Sequence, residues 1–331
     1  MTPAVSVILP VRDGGPYLNE AVDSILDSVF EELELLVVDD HSTDGFVGRL
    51  ERADPRLRVL SHTGEGVSGA FNYGLAHASG PFVARMDADD ISLPNRFLDQ
   101  LEYLERNPEV AICGGKVELF SDQPLAGGNL RYQRWLNQCV TPRQIHQELF
   151  IESPIPNPTA LFRREAIDRL GGYHNPGWPE DYDLFLRADT AGMRMGKPGK
   201  VVLKWREHGQ RLTHTSPRYT IERFQAAKAH YLVHDRLNGR PVIIWGAGPT
   251  GRSLHDLLAA EGADIRGFLE VHPRRIGGTK RQLPIWPIER VDLLQDELVL
   301  VAVGAAGART KIREWMDARK KEQGIDYLFV A

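Results

Sequence analysis

Two hydrophobic rhythms alternate along the first part of the chain. Continuous apolar runs at Val5–Val11, Leu33–Val38 and Pro81–Met86 predict strands buried on both faces, with a shorter strand at Arg58–Ser61. Between them, Tyr17–Ser28 places Leu18, Ala21, Val22, Ile25 and Leu26 on one helical face, and Ala70–Ala78 reads as a helix ended by Gly80. Such alternation predicts an α/β fold built on a mostly parallel sheet with flanking helices. In such sheets ligands bind outside the carboxyl ends of the strands. Two acidic clusters fall there: Asp39-Asp40 after the second strand and Asp87-Ala88-Asp89-Asp90 after the fourth.

The pattern restarts near residue 240. Ile221–Arg236 is helical in period, and Leu237-Asn238-Gly239-Arg240-Pro241 reads as helix end and linker. A strand, a glycine turn (GAGPTG) and a helix to Ala260 follow, with further strands at Ile265–Glu270 and Leu298–Val303. The expected organisation is therefore a first domain at 1–215, a helical linker at 216–238 and a smaller Rossmann-like α/β domain at 239–331. Charge shifts at the same place. Residues 239–331 carry 14 Lys/Arg against 12 Asp/Glu, which leaves a net charge of −7 for residues 1–238.

Composition narrows the class. The 331 residues are 42% hydrophobic and 26% charged with a net charge of −5, an ordinary globular balance with no basic field for nucleic acid. Two cysteines, Cys113 and Cys139, exclude a disulfide scaffold and fit a reducing compartment. The N-terminal stretch has no basic region followed by a long apolar one, and no run approaches the ~18 apolar residues of a bilayer span. A cytoplasmic location is expected.

Taken alone, the acidic clusters leave two readings open. Asp87 and Asp89 point to one side of an extended chain and can converge on a hard cation; an acidic turn capping the helix near Pro94 reads equally well. VVDDHSTDG can accept hydrogen bonds from a nucleoside or be a simple turn. In the second segment, Gly246, Gly248 and Gly251 form G-x-G-x-x-G, with the acidic Glu270 about 20 residues on, as the dinucleotide fingerprint asks. A turn kept only for packing fits as well.

Seven blocks change the balance. SVILPVRDGGPYLNEAVDSIL, LELLVVDDHSTDG, GVSGAFNYGLAHASG, PFVARMDADDISLPNRFLDQLEYLERNPEVAICGG, NPTALFRREAIDRLGGY, PEDYDLFLRADTAG and KWREHGQRLTH stand in order over residues 4–215. They closely resemble glycosyltransferase family 2, the inverting, nucleotide-sugar-dependent family with the GT-A fold. The resemblance implies that Pro10, Arg12 and Asp40, with Asp39 as alternate, line the nucleoside pocket and that Arg85 lies near the donor diphosphate. It also implies that Asp87 and Asp89 form the DxD motif, with Asp89 the direct ligand of Mg²⁺ or Mn²⁺. Asp181 then matches the catalytic base and His208 a histidine approaching the metal–diphosphate.

Two positions depart from the family's habit. Arg12-Asp13 stands where an aromatic residue and Asn are frequent, and Asn157 where His is frequent.

The implied activity is transfer of a sugar from a nucleoside-diphosphate sugar, UDP being the expected nucleotide. The acceptor is a hydroxyl of a glycan or glycolipid in surface-polysaccharide synthesis, with peripheral contact at the inner membrane surface. No nucleophile elbow or Cys–His arrangement suggests a covalent intermediate.

IIWGAGPTGRSLHDLL, IRGFLEVHPRRIGG, LPIWPIE and LVLVAVGAAGARTKIREW resemble the nucleotide-binding domain of sugar O-acyltransferases, without the hexapeptide repeats of their β-helix. Two other readings stay open. One is an NAD(P)-dependent oxidoreductase using GAGPTG, and the other a non-catalytic nucleotide-sugar-binding scaffold. Retention of both DADD and PEDYD weighs against the scaffold.

Overall fold

The computed structural model describes residues 3–50, 54–64 and 66–331. The chain divides into two compact units. The first comprises Met1–His146 and Pro154–Pro217, and the second Gln147–Ser153 and Arg218–Ala331.

Strands of the first unit are β1 (Val5–Val11), β2 (Leu33–Asp39), β3 (Leu57–Ser61), β4 (Phe82–Arg85), β5 (Ile91–Ser92), β6 (Val110–Cys113), β7 (Lys116–Phe120), β8 (Leu161–Arg163), β9 (Arg194–Gly196) and β10 (Val201–Arg206). Its helices are α1 (Tyr17–Leu26), α2 (Gly66–His77), α3 (Arg96–Arg106), α4 (Gly127–Gln138), α5 (Pro142–Glu148), α6 (Arg164–Arg169), α7 (Glu180–Thr190) and α8 (Leu212–Thr215). Seven strands form one sheet in the order β3-β2-β1-β4-β8-β6-β9, parallel from β3 through β4 and antiparallel on either side of β8.

The strand order reverses between β1 and β4, the switch point where such sheets open a crevice. β1 pairs with β4 only over Val5–Ile8 and runs on to Val11 with β2 alone. Pro10, which has no N–H to donate, falls in that extension. The core seals this arrangement: every β1 residue is buried, and Leu18, Ala21, Val22, Ile25 and Leu26 of α1 lie in the same cluster.

A second sheet, β5-β10-β7, determines where the acidic turn goes. β5 follows Asp90 directly and pairs antiparallel with β10 through Leu203–Ser92 and Lys204–Ile91. The end of β10 is thereby carried to the end of β4.

One buried carboxylate ties β2 to its neighbours. Glu34 accepts from Ser6 Oγ at 2.6 Å and from Ser79 N and Oγ at 2.8 and 2.7 Å. Burial would raise its pKa, but these hydrogen bonds and the Arg58 charge outweigh it, and the net displacement is below the ordinary 4.5. The folded state therefore favours the ionised form. Its contribution is full above pH 4.5 and is lost as pH falls through the lowered folded pKa. Stability of Glu34→Gln, followed by urea melts from about pH 6 to about pH 3, is expected to fall less steeply in acid than that of the parent chain. Parallel pH profiles would remove Glu34 from the acid response.

The second unit holds α9 (Ile221–Tyr231), β11 (Val242–Trp245), α10 (Pro249–Ala260), β12 (Ile265–Glu270), β13 (Thr279–Lys280), β14 (Leu283–Pro287), β15 (Leu298–Val301), α11 (Ala308–Asp317) and β16 (Tyr327–Phe329). Its sheet has the order β13-β14-β12-β11-β15-β16, parallel except for the β13–β14 pair. The stretch read as a linker is helical, as its period predicts, and from Arg218 onward it groups with this unit. Gln147–Ser153 also belongs here: Glu148 pairs with Arg313 at 2.9 Å, and Gln147 and Gln323 exchange hydrogen bonds with each other's backbone. No local signal marks those seven residues, because the hydrogen bonds cross 176 positions.

Candidate active site

The DADD turn leaves β4 at the switch point. Arg85, almost fully buried, donates from Nε and Nη2 to Asp87 Oδ1 at 2.9 and 2.6 Å. Burial would lower the pKa of this arginine; Asp87, Tyr173 and Glu180 more than compensate and hold the guanidinium charged. Asp89 Oδ2 lies 2.8 Å from His208 Nε2. The carboxylates of Asp87, Asp89 and Asp90 approach within 4.8 Å of one another. Asp87, Asp89 and His208 therefore come together from sequence positions 119 residues apart.

Nothing local in the sequence sets Asp90 apart from Asp87 and Asp89. It is buried, its Oδ1 accepts from Arg206 N at 2.8 Å, and its Oδ2 has no hydrogen-bond partner. Burial first, then the charges of Asp89 and Asp87, push its carboxyl well above the ordinary 3.8. Three converging carboxyl groups, one with an orphaned buried oxygen, suit a divalent cation bound by hard oxygen ligands.

Arg206 braces this turn. Its Nε donates to Asp89 O at 2.8 Å, its Nη2 pairs with Glu20, and its guanidinium lies 4.2 Å from the Tyr17 ring centroid and 4.4 Å from that of Phe120. Below the turn, the fully buried Arg96 donates to Arg85 O at 2.7 Å; desolvation lowers its pKa to about 10, against the pull of Asp90 and Asp87. The only sequence signal for either is an arginine inside a motif block, and surface arginines look the same.

On the other side of the switch point stand the residues expected to line a nucleoside pocket. Asp40 is buried, with Oδ1 3.0 Å from His62 Nδ1 and Oδ2 accepting from Gly66 N at 3.1 Å. Asp39 Oδ1 caps Ser42 N at 2.9 Å. Pro10 is buried, whereas Arg12 is exposed. The neighbouring Asp13, at φ 52°, accepts from Thr43 N at 2.7 Å and Asp44 N at 3.2 Å. That tie lowers its pKa and stitches the loop after β1 to the loop after β2.

Asp181 occupies the first turn of α7, where an anion is favoured by the helix dipole. Its Oδ1 accepts from Tyr182 N at 2.7 Å. Its acidic neighbours are disposed differently. Glu180 is buried, and Asp183 is held by Trp178 Nε1 at 3.0 Å and Arg187 Nε at 2.7 Å. Tyr173 lies within electrostatic reach of both this turn and Arg85. Burial raises its pKa strongly, Arg85 opposes that, and Asp181, Glu180 and Asp87 add to it. Its hydroxyl donates to Asn157 Oδ1, so the residue at the departure position orients the tyrosine.

In the second unit, two of the three fingerprint glycines have packing reasons. Gly246 adopts φ 117°, and a Cβ on Gly251 would lie 1.8 Å from Gly246 O. A Cβ on Gly248, the residue preceding α10, would meet nothing within 4 Å. Glu270 is already engaged: it accepts from Val271 N at 2.9 Å, from His272 N at 3.2 Å and from Arg275 Nη1 at 2.8 Å. Burial would raise its pKa, but these partners win and the net shift is downward. A carboxylate so committed is poorly placed to receive a ribose hydroxyl.

A parallel-rich sheet that gathers carboxylates at its switch point defines the GT-A class of architecture. The chain belongs to glycosyl transferase family 2, whose model matches residues 6–171, half of the chain, and it is a glycosyltransferase. It is 29% identical over 235 residues to an uncharacterized glycosyltransferase of Haemophilus influenzae, covering 68% of this chain and 71% of the relative. Over 197 residues it is 28% identical to the UDP-Gal:alpha-D-GlcNAc-diphosphoundecaprenol beta-1,3-galactosyltransferase of Escherichia coli, covering 58% of this chain and 70% of that enzyme. Its fold resembles S. aureus TarS 1–349 solved in complex with UDP-GlcNAc, with a TM-score of 0.57 and 18% identity over 78% of this chain and 71% of the other. The family match ends at residue 171 and does not reach the second unit. None of the described helices is long and apolar enough to cross a membrane.

Proposed function

We propose that this chain transfers a sugar, with inversion, from a UDP-sugar to a hydroxyl of a glycan or lipid-linked glycan during surface-polysaccharide assembly. The observation that carries the reading is the meeting of Arg85, Asp87, Asp89, Asp90 and His208 at the switch point of a family-2 chain. UDP is favoured because a UDP-Gal-dependent relative and a UDP-GlcNAc-bound neighbour share the family and the fold, respectively.

Asp87 and Asp89 would hold Mg²⁺ or Mn²⁺ with His208 beside them, and the ion would neutralise charge developing on the departing diphosphate. Arg85 adds a fixed positive charge near that group. Asp181 takes the acceptor's proton as its oxygen attacks the anomeric carbon. The bond to the diphosphate breaks on the opposite face, so no covalent enzyme intermediate is needed. The second unit is read as a regulatory, docking or auxiliary nucleotide-binding module rather than an NAD(P)-dependent one, since Glu270, which would hold the ribose, is committed to Arg275.

Thermal shifts with a panel of nucleotide sugars, with and without Mn²⁺, test the whole reading. A metal-dependent rise for a UDP-sugar supports it; a rise only with NAD(P)H would transfer the chemistry to the second unit.

The nucleoside side has its own test. Asp40, held by His62 and the Gly66 amide, would accept a hydrogen bond from the base as well, so its loss leaves a polar base edge unpaired in the proposed pocket. Asp40→Ala is expected to weaken UDP binding by about 1–3 kcal/mol, roughly 5- to 150-fold, by calorimetry. Unchanged affinity would return VVDDHSTDG to the role of a turn.

A further inference from the structure

We propose that His230, His234 and Glu261 form a second metal site, for a borderline transition dication such as Zn²⁺, Ni²⁺ or Cu²⁺. All three belong to the second unit. His230 lies in α9 and His234 in the π-helical turn, Leu232–Arg236, that prolongs it. A four-residue spacing puts both rings on one side, with centroids 4.6 Å apart. π-turns are rare and concentrate at functional sites. Glu261 ends α10 and presents one oxygen to both rings: its Oε2 is 2.8 Å from His234 Nε2 and 3.4 Å from His230 Nδ1.

The spacing suits a tetrahedral ion. Metal–ligand bonds of about 2.0–2.2 Å set ligand atoms about 3.3–3.5 Å apart, and the three donor atoms here lie within 4.8 Å of one another. Small rotamer adjustments close the set, each neutral ring offering its unprotonated nitrogen to the ion. The side chains are 39%, 51% and 33% exposed, so solvent can supply a fourth ligand. Donor chemistry separates this site from the acidic turn. Two imidazoles and a carboxylate select Zn²⁺, Ni²⁺ or Cu²⁺, whereas an all-oxygen cluster suits Mg²⁺ or Mn²⁺. Binding here would clamp α9 to the C-terminal end of α10.

The test uses the full chain, freed of metal by chelator and titrated with Zn²⁺ against a chromophoric indicator. The parent chain is expected to bind one Zn²⁺ that His230→Gln/His234→Gln and Glu261→Gln bind tenfold more weakly or worse. Co²⁺ is expected to develop visible absorption in the parent and not in the double variant. Equal Zn²⁺ affinity in parent and variants would overturn the proposal and leave the trio as a helix clamp. Zn²⁺ binding that survives these changes but disappears in Asp87→Asn/Asp89→Asn would overturn it too. Should the double variant melt early in metal-free buffer, Glu261→Gln alone decides by the same tenfold criterion.

Discussion

Asp89→Ala is expected to abolish sugar transfer and the metal-dependent part of UDP-sugar binding. Asp89 contributes a carboxylate at the centre of the acidic turn, 2.8 Å from His208. Charge neutralisation by a bound divalent ion is worth several kcal/mol of transition-state stabilisation. At about 1.36 kcal/mol per tenfold, the turnover lost amounts to roughly 10³-fold or more. Arg206 grips the main-chain oxygen of residue 89 and the Asp90 carboxylate, and the substitution removes neither contact, so the fold is expected to survive. Nucleoside-diphosphate release at increasing Mn²⁺ measures the effect, with a thermal melt as control. Full turnover of this variant in chelator-treated buffer would remove Asp89 from metal binding.

Asp181→Asn separates the proton acceptor from the donor site. The amide oxygen can still accept from Tyr182 N, so the first turn of α7 is expected to hold. Neither neighbour is a ready substitute: Glu180 is buried, and Asp183 already binds Trp178 and Arg187. Donor affinity is expected to stay close to that of the parent, while turnover falls roughly 10²–10⁴-fold, the usual worth of a positioned general base. Calorimetry with UDP and steady-state rates with saturating acceptor separate the two quantities. Collapse of donor affinity with turnover intact would make Asp181 a donor-site residue.

The strand ends that carry the candidate site are legible in sequence for one reason. A parallel strand buried on both faces is written as an unbroken apolar run, and charged groups cannot be accommodated inside it without a partner. VSVILPV, LELLVV and PFVARM mark the strands, the last two each admitting one charge that is paired (Glu34 and Arg85), and the carboxylates that follow lie at their carboxyl ends. Asp40, Asp87 and Asp89 are located in this way, whereas Arg85 lies inside β4 and is marked only by the family resemblance.

What brings these ends to one place is not written locally. The reversal between β1 and β4 is a choice of strand order, and the β5–β10 pairing delivers Arg206 to Asp90 across 116 residues. Likewise Tyr173 finds Asn157, and Glu148 finds Arg313 across 165 residues. The His230–His234 spacing can be read along one helix, but the Glu261 that completes the trio comes from another.

Element type, order and the ends that carry charge follow from hydrophobic periodicity, which a chain expresses within ten or so neighbouring residues. Which carboxylate is braced, orphaned or already paired depends on partners contributed by remote segments, and only the folded sheets bring those within hydrogen-bond reach.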